Sequence, residues 1–444
     1  MIFLIGFVGC CAAALTKQTY GMLANAHHIM ASNIMANGTV VASPSKSQPD
    51  YFYHWIRDAS LTFMHVIDNQ LLLAQVRLTQ VHQSSNALTG LGEPKFLVGG
   101  SPFSLPWGRP QNDGPALRAL VNINFANSLD RDQFEKLRHV LYDSKLPTKS
   151  IIKSDLEYVS HSFQSPSFDL WEESFGTHYF TRVAQWLALR HGADLASRLD
   201  DPGAAEFYSH QALVIEKQFD LHWDAKAGYI RETIDIQGGI TSKDSQLDSA
   251  VILAGLLLQR YTDSAVSHRL LISAAKIVDS MRFYRLNANQ DFPLIGRYPE
   301  DVYDGVGFSH GNPWPLASAA YSELLSKTAA RFCTECQISV SNLLRETFLL
   351  MGLEASFVDR LNETVSCSTH PFSIVIKRFH AISSGTINRI SEIYTKNFQT
   401  GLSEQFDRDS GSEIGAKNLT WSSVAFISAV ESYDEMTSAC FPYL

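Results

Sequence analysis

The segment Phe168-Asp169-Leu170-Trp171-Glu172-Glu173 puts three carboxylates and an indole within six residues. Like charges that close, beside an apolar wall, raise at least one carboxyl pKa. A carboxylic acid still protonated near neutral pH is a general acid. The same residues also suit the acidic first turn of a helix over 173–199, where the helix dipole favours negative charge. A second acidic segment, Ser403-Glu404-Gln405-Phe406-Asp407, shifts the balance towards chemistry. A carboxylate there would activate water across a site from Glu172, and two carboxylates flanking a sugar are the working parts of glycoside hydrolysis. A separation of ~6.5–9.5 Å marks an inverting pair and ~5–5.5 Å a retaining one. That distance is not written in a sequence.

The aromatics fit the same substrate. Trp55, Trp107, Trp171, Trp314 and Trp421 all fall in or beside long polar connections. One buried Trp is ordinary core packing, whereas five on loops outline a cleft for the apolar C–H faces of pyranose rings. Arg57 with Asp58, and Arg297 with Asp301, supply partners for the hydroxyl rim. Other chemistries find little support. There is no GxSxG, GxxxxGK[ST] or HExxH, and no GxGxxG following a strand. His27-His28 are neighbours that point apart on a helix, which argues against metal ligation.

Composition agrees. The chain has 444 residues, 45% hydrophobic and 18% charged, with a net charge of −9. Acidity argues against nucleic-acid binding and against an anionic membrane surface. A chain of this length buries a large core unaided. Helical periodicity dominates. Leu247, Val251, Ala254 and Leu258 share one face, as do Tyr208, Ala212, Ile215 and Phe219 behind an Asp201-Pro202 helix start. Further helices are expected over 17–34, 58–83, 113–127, 131–144, 173–199, 264–285, 313–325, 327–350, 371–397 and 419–434, about twelve in all. The one clear strand signal is a hairpin-like segment near 221–240. Long connections at 37–57, 85–112, 160–172, 286–312 and 398–418 carry the Trp, Arg, Asp and Glu residues. Long loops on a rigid scaffold are where function collects.

The first residues, Met1 to Leu15, form an apolar run ending in small residues, as expected of a signal peptide removed on secretory entry. The run is too short to span a membrane comfortably. Sequons at Asn37, Asn362 and Asn418 point the same way. Beyond the leader, Cys333, Cys336, Cys367 and Cys440 allow three pairings. A lone CxxC without a second ligand pair favours structural disulfides or buried thiols over zinc or redox chemistry.

Several long runs resemble the fungal and yeast glucoamylases, the exo-acting enzymes of glycoside hydrolase family 15. They begin with Val41-Ala42-Ser43-Pro44-Ser45, Tyr51-Phe52-Tyr53-His54-Trp55-Ile56-Arg57-Asp58 and Gly92-Glu93-Pro94-Lys95-Phe96. Trp107-Gly108-Arg109-Pro110-Gln111-Asn112-Asp113-Gly114, Asp169-Leu170-Trp171-Glu172-Glu173 and Gly296-Arg297-Tyr298-Pro299-Glu300-Asp301 follow. Gly311-Asn312-Pro313-Trp314, Ser403-Glu404-Gln405 and Leu419-Thr420-Trp421-Ser422 complete the order.

The resemblance implies an all-α fold, a single-domain (α/α)6 barrel over residues 16–444, with the site in the mouth at the helix N-terminal ends. It implies inverting release of β-D-glucose from non-reducing ends of α-1,4-glucans, slower action on α-1,6 branches, and no metal or organic cofactor. Glu172 matches the general acid and Glu404 the base. Asp169 and Glu173 match acidic partners, with Asp169 a second candidate for the base. Arg57, Asp58 and Arg297 match the clamp on the innermost glucose, and Tyr51 the tyrosine near the nucleophilic water. Trp107 matches the aromatic beside the acid, while Asp301, Trp314 and Trp421 match further cleft positions. A secreted or lumenal monomer is expected.

Two stretches depart from the fungal pattern: Ser174-Phe175-Gly176-Thr177-His178, and the longer loop Val302-Tyr303-Asp304-Gly305-Val306-Gly307-Phe308-Ser309-His310. Both bear on outer subsites rather than on the two glutamates. With no linker or starch-binding domain after residue 444, soluble dextrins or glycogen are the expected substrates, as for yeast relatives that mobilise stored glycogen, including during sporulation. The rival readings are an α-1,6-glucan or trehalose hydrolase on the same barrel, and a glucan-binding protein without catalysis.

Overall fold

The computed structural model describes residues 14–66, 68–83, 86–262, 267–396 and 401–444. All but the end of the expected leader lies outside these residues. Six helices whose surfaces are buried nearly all round form an inner ring: Ile56–Phe63, Asp113–Ser128, Tyr179–Arg198, Ala250–Tyr261, Pro315–Glu335 and Thr420–Cys440. Each packs on the next, and the last returns to the first, which closes the ring. Burial on every side follows from composition. Alanines such as Ala116, Ala184, Ala254, Ala317 and Ala429 let neighbouring backbones approach, and Leu117, Leu187, Leu324 and Phe426 fill the gaps.

Alternating with these in the chain are six outer helices: Lys17–Ser32, Asn69–His82, Ile151–Ser162, Pro202–Glu216, His268–Ser280 and His370–Lys396. The chain is therefore an (α/α)6 barrel. The inner and outer layers are also joined by charge: Arg118 makes a bidentate pair with Asp155, both fully buried, the geometry in which a buried pair is best compensated. Two disulfides settle the open cysteine pairing. Cys333–Cys440 ties the last two inner helices together, and Cys336–Cys367 joins the short antiparallel strands Gln337–Ser339 and Thr364–Ser366.

Four element boundaries differ from the sequence expectation, each for a local reason. The expected helix over 58–83 breaks after Phe63, and its second half restarts where the Asp68 carboxylate accepts the Gln70 and Leu71 amides. The pair expected over 313–350 breaks not at 326 but at Cys336, whose left-handed φ of 55° ends the helix. Ile151–Ser162 is an unanticipated helix in a segment whose buried polar residues, Lys153, Ser154, Asp155 and Ser160, hid its period. Residues 174–178 are strand rather than the first helical turn. Ser174–His178 pairs with Thr233–Gly239, and the helix starts at Tyr179. The expected hairpin is accordingly split. Trp223–Asp224 pairs with Tyr229–Ile230, while the rest of that segment serves the 174–178 strand.

Candidate active site

Residues at or before the starts of the first, second, third, fifth and sixth inner helices line one cavity of about 540 Å³. The first inner helix brings Trp55, Arg57 and Asp58, fixed by pairing of His54–Trp55 with Lys95–Phe96. Before the second helix stands Gln111, and Asp113 opens it. The third is preceded by the acidic turn, the fifth by Trp314, and the sixth by Glu404 and Leu419, with Trp421 in its first turn.

The acidic turn is built by Asp169. Its Oδ1 accepts the backbone N–H of Glu173 (2.7 Å) and of Ser174 (3.0 Å), and its Oδ2 accepts Lys243 Nζ at 2.8 Å. Burial alone would raise the Asp169 pKa, but Lys243 and then His178 outweigh it and hold the carboxyl at about 2. Asp169 lies beneath the cavity rather than on it. Its geometry is that of a brace, which does not suit its second candidacy as the base.

The braced turn holds Glu172 at a φ of 69°, a strained backbone for a residue with a side chain. Gly108 closes over it so tightly that a Cβ there would stand 2.8 Å from the Glu172 carbonyl oxygen. Glu172 Oε1 accepts Trp55 Nε1 at 2.7 Å and Gln111 Nε2 at 3.0 Å, with the Arg57 guanidinium at 3.4 Å. Among the described residues no donor reaches Oε2. Three donors on one oxygen and none on the other leave Oε2 as the position for a transferable proton.

Glu404 lines the same cavity and is fully buried. Its backbone N–H donates to the Ala416 carbonyl, the Ala416 N–H donates to its Oε2 (3.1 Å), and Tyr51 Oη donates to its Oε1 at 2.8 Å. The Tyr303 hydroxyl lies 3.0 Å from that of Tyr51 and 3.5 Å from Glu404 Oε2, to which it donates, so the loop that carries Tyr303 reaches the Glu404 carboxylate. Burial pushes the Glu404 pKa up to about 7, against the Ala416 amide and the Tyr51 hydroxyl, which favour the anion. Gly415, at a φ of 73°, abuts this carboxylate; a Cβ would lie 2.3 Å from Oε2. Only glycine fits there.

The remaining expected residues surround these two. Arg57 NH1 donates to Gln111 Oε1 (2.9 Å) and Asp113 Oδ2 (3.0 Å), and burial lifts Asp58 to about 6 despite Arg57. Arg297 is held by both oxygens of Asp301 and by Glu173 Oε1 at 2.8 Å. Glu173 Oε2 accepts Tyr298 Oη. Asp301 stands behind Arg297, off the cavity. Trp171 stacks on Trp421 with centroids 6.1 Å apart, meets Trp314 at 5.5 Å, and donates its N–H to Asp248. Trp107 meets Trp55 edge-on.

Lys95, quoted in the sequence only as part of a run, lies 3.6 Å from the Trp107 ring centroid and within 4.4 Å of those of Trp55, Tyr53 and Phe103. Burial lowers its pKa to about 8, with Glu172 opposing. Gln111, Asp113, Tyr303 and Lys243 were likewise unassigned. The first two could have been found as polar residues at a helix start, whereas Lys243 gives no sequence signal.

Comparison with known proteins adds an independent line. Residues 16–431 match the family described as Glycosyl hydrolases family 15. The chain belongs to glycosyl hydrolase family 15. It is 34% identical over 434 residues to a glucoamylase of Blastobotrys adeninivorans, covering 90% of this chain and 68% of that one. A protein of Schizosaccharomyces pombe described as a probable glucoamylase is 32% identical, covering 88% and 84%. The glucoamylase structure from Saccharomycopsis fibuligera superposes with a TM-score of 0.82 at 26% identity over 96% of this chain and 99% of its own. A family 15 glucoamylase from Hypocrea jecorina gives 0.83 at 28% identity over 95% and 74%. These likenesses extend over the barrel and the loops that carry the cavity of this family 15 chain.

Proposed function

We propose that this chain is a glucan 1,4-α-glucosidase that removes single glucose units from non-reducing ends of soluble α-glucans with inversion, Glu172 being the general acid and Glu404 the base. The observation that carries the reading is the contrast between two glutamates on one cavity. Glu172 keeps one oxygen free of donors, whereas Glu404 has both oxygens bonded as an acceptor.

In this reading the terminal glucose enters towards Arg57, Asp58, Trp171 and Trp421, all nearly buried. A pocket whose inner end is walled by such side chains admits a chain end and not a chain middle, which is exo action. Glu172 Oε2 gives its proton to the glycosidic oxygen as the C1–O bond breaks. Glu404 takes a proton from the water that attacks C1 from the opposite face. Arg57 and Arg297, each braced by carboxylates, hold hydroxyls without reorganising as charge develops. Proton exchange with solvent then restores both glutamates. The proposed acting form is the monomer. Secretory processing is supported by the two disulfides and by exposed Asn37 and Asn362. No described helix is long and apolar enough to cross a membrane.

Proton NMR of the enzyme acting on maltoheptaose tests the reading. β-Glucose before mutarotation is expected. Early α-glucose overturns inversion, and binding without any glucose overturns catalysis.

Tyr51→Phe reports on the base. Loss of a donor to the Glu404 anion raises its pKa further, so less base is ionised at a given pH. The acidic limb of kcat/KM should move up by roughly 0.5–1 pH unit, with kcat falling about tenfold. A limb that stays in place separates Tyr51 from Glu404.

A further inference from the structure

The loop 302–310 carries three exposed apolar side chains, Val302, Val306 and Phe308, and the Phe308 ring borders the cavity while remaining 75% exposed. A lone exposed phenylalanine needs no explanation. This one is held in place. Asp304 Oδ1 accepts the amides of Val306 (3.1 Å) and Gly307 (2.6 Å), and its Oδ2 accepts the Ser309 hydroxyl at 2.6 Å. The Tyr303 and Phe308 backbones bridge in antiparallel fashion, and their rings stand 6.3 Å apart. Gly305, at a φ of 94°, lies flat on Gly415, where a Cβ would come within 2.7 Å of the Gly415 Cα. The foot of the loop is tied by the Tyr303 N–H to Asp301 at 2.9 Å.

From the floor outward, side chains become steadily more exposed: Glu404 fully buried, Trp314 nearly so, Tyr303 half-buried, Phe308 open. A glucan whose end lies among the buried residues must leave along this gradient. We infer that Phe308 is a stacking platform for a glucosyl unit at least two places beyond the scissile bond, and that it sets the preference for longer chains. The inference rests on the glucan-hydrolase reading above. A preordered aromatic receives a pyranose C–H face without the entropy cost of fixing a mobile side chain. Contact to a unit remote from the bond being broken acts equally on ground and transition states, so it should appear in KM.

The test compares maltose, too short to reach Phe308, with maltoheptaose in Phe308→Ala and Phe308→Trp. With Phe308→Ala, the ratio of kcat/KM for maltoheptaose to that for maltose should fall about fivefold, through KM, as loss of uniform binding requires. Phe308→Trp should restore it. An unchanged ratio overturns the platform. An equal loss on both substrates also overturns it, because the loop would then act only through Tyr303 and Glu404. Wild-type protein that releases glucose from neither substrate refutes the hydrolase reading instead.

Discussion

Glu172→Gln is expected to cut turnover of maltoheptaose by about a thousandfold or more while leaving its binding, measured by calorimetry, within a few-fold of wild type. The amide oxygen can still accept Trp55 Nε1 and Gln111 Nε2, so the turn and the Arg57 clamp stay in place. What disappears is the proton on the second oxygen. Protonation matters only when the leaving group is poor, and this gives a sharper check. α-D-Glucosyl fluoride leaves without a strong acid, so the variant should retain far more activity on it than on maltoheptaose. Equal losses on the two substrates would remove Glu172 from the acid role.

Glu404→Ala should behave in the opposite way. Water activation is needed whichever group departs, so both substrates should lose roughly 10²–10⁴-fold in rate. The deleted side chain also vacates space beside Ala416 and Tyr51, where azide, a nucleophile that needs no base, would fit. With glucosyl fluoride the C1–F bond breaks as a C1–N bond forms on the opposite face, yielding β-glucosyl azide and fluoride. An α-configured azide, or a variant close to the wild-type rate, would transfer the base role elsewhere. Asp169 is poorly suited to inherit it, because its oxygens are committed to two amides and Lys243.

These two residues and most of their neighbours were legible before any coordinates. Trp and carboxylate residues in polar connections have little structural use, so Trp55, Trp107, Trp314 and Glu404 stand out against a helical background. The acidic turn was harder to read. Asp169, Glu172 and Glu173 lie within five residues, yet Asp169 is a brace beneath the cavity, Glu172 takes Trp55 and Gln111 on one oxygen, and Glu173, which also lines the cavity, is clamped by Arg297. That division depends on the left-handed backbone at Glu172 and on strand pairing with residues 233–239, neither of which is a local property. Lys243 was invisible for the same reason. It comes from a segment without periodicity and matters because long-range folding buries it between Asp169 and Asp248. Helix boundaries failed where a single cap decided them, at Asp68 and Cys336. The barrel itself did not depend on those details, since its pattern repeats around the ring.

The seam of that ring lies between its first and last helices, Ile56–Phe63 and Thr420–Cys440. Thr420 is stitched to the carbonyls of Val41 and Ala42, and Cys440 is bonded to Cys333. Glu172 leaves the ribosome well before Glu404 and Trp421, which arrive with the closing segment. A growing chain therefore carries the acid without its base and without the wall of the pocket. In the proposed mechanism, hydrolysis requires the completed circle. Glucose release is, by the same logic, an assay of closure: opening the seam should silence the enzyme while most of its helices remain intact.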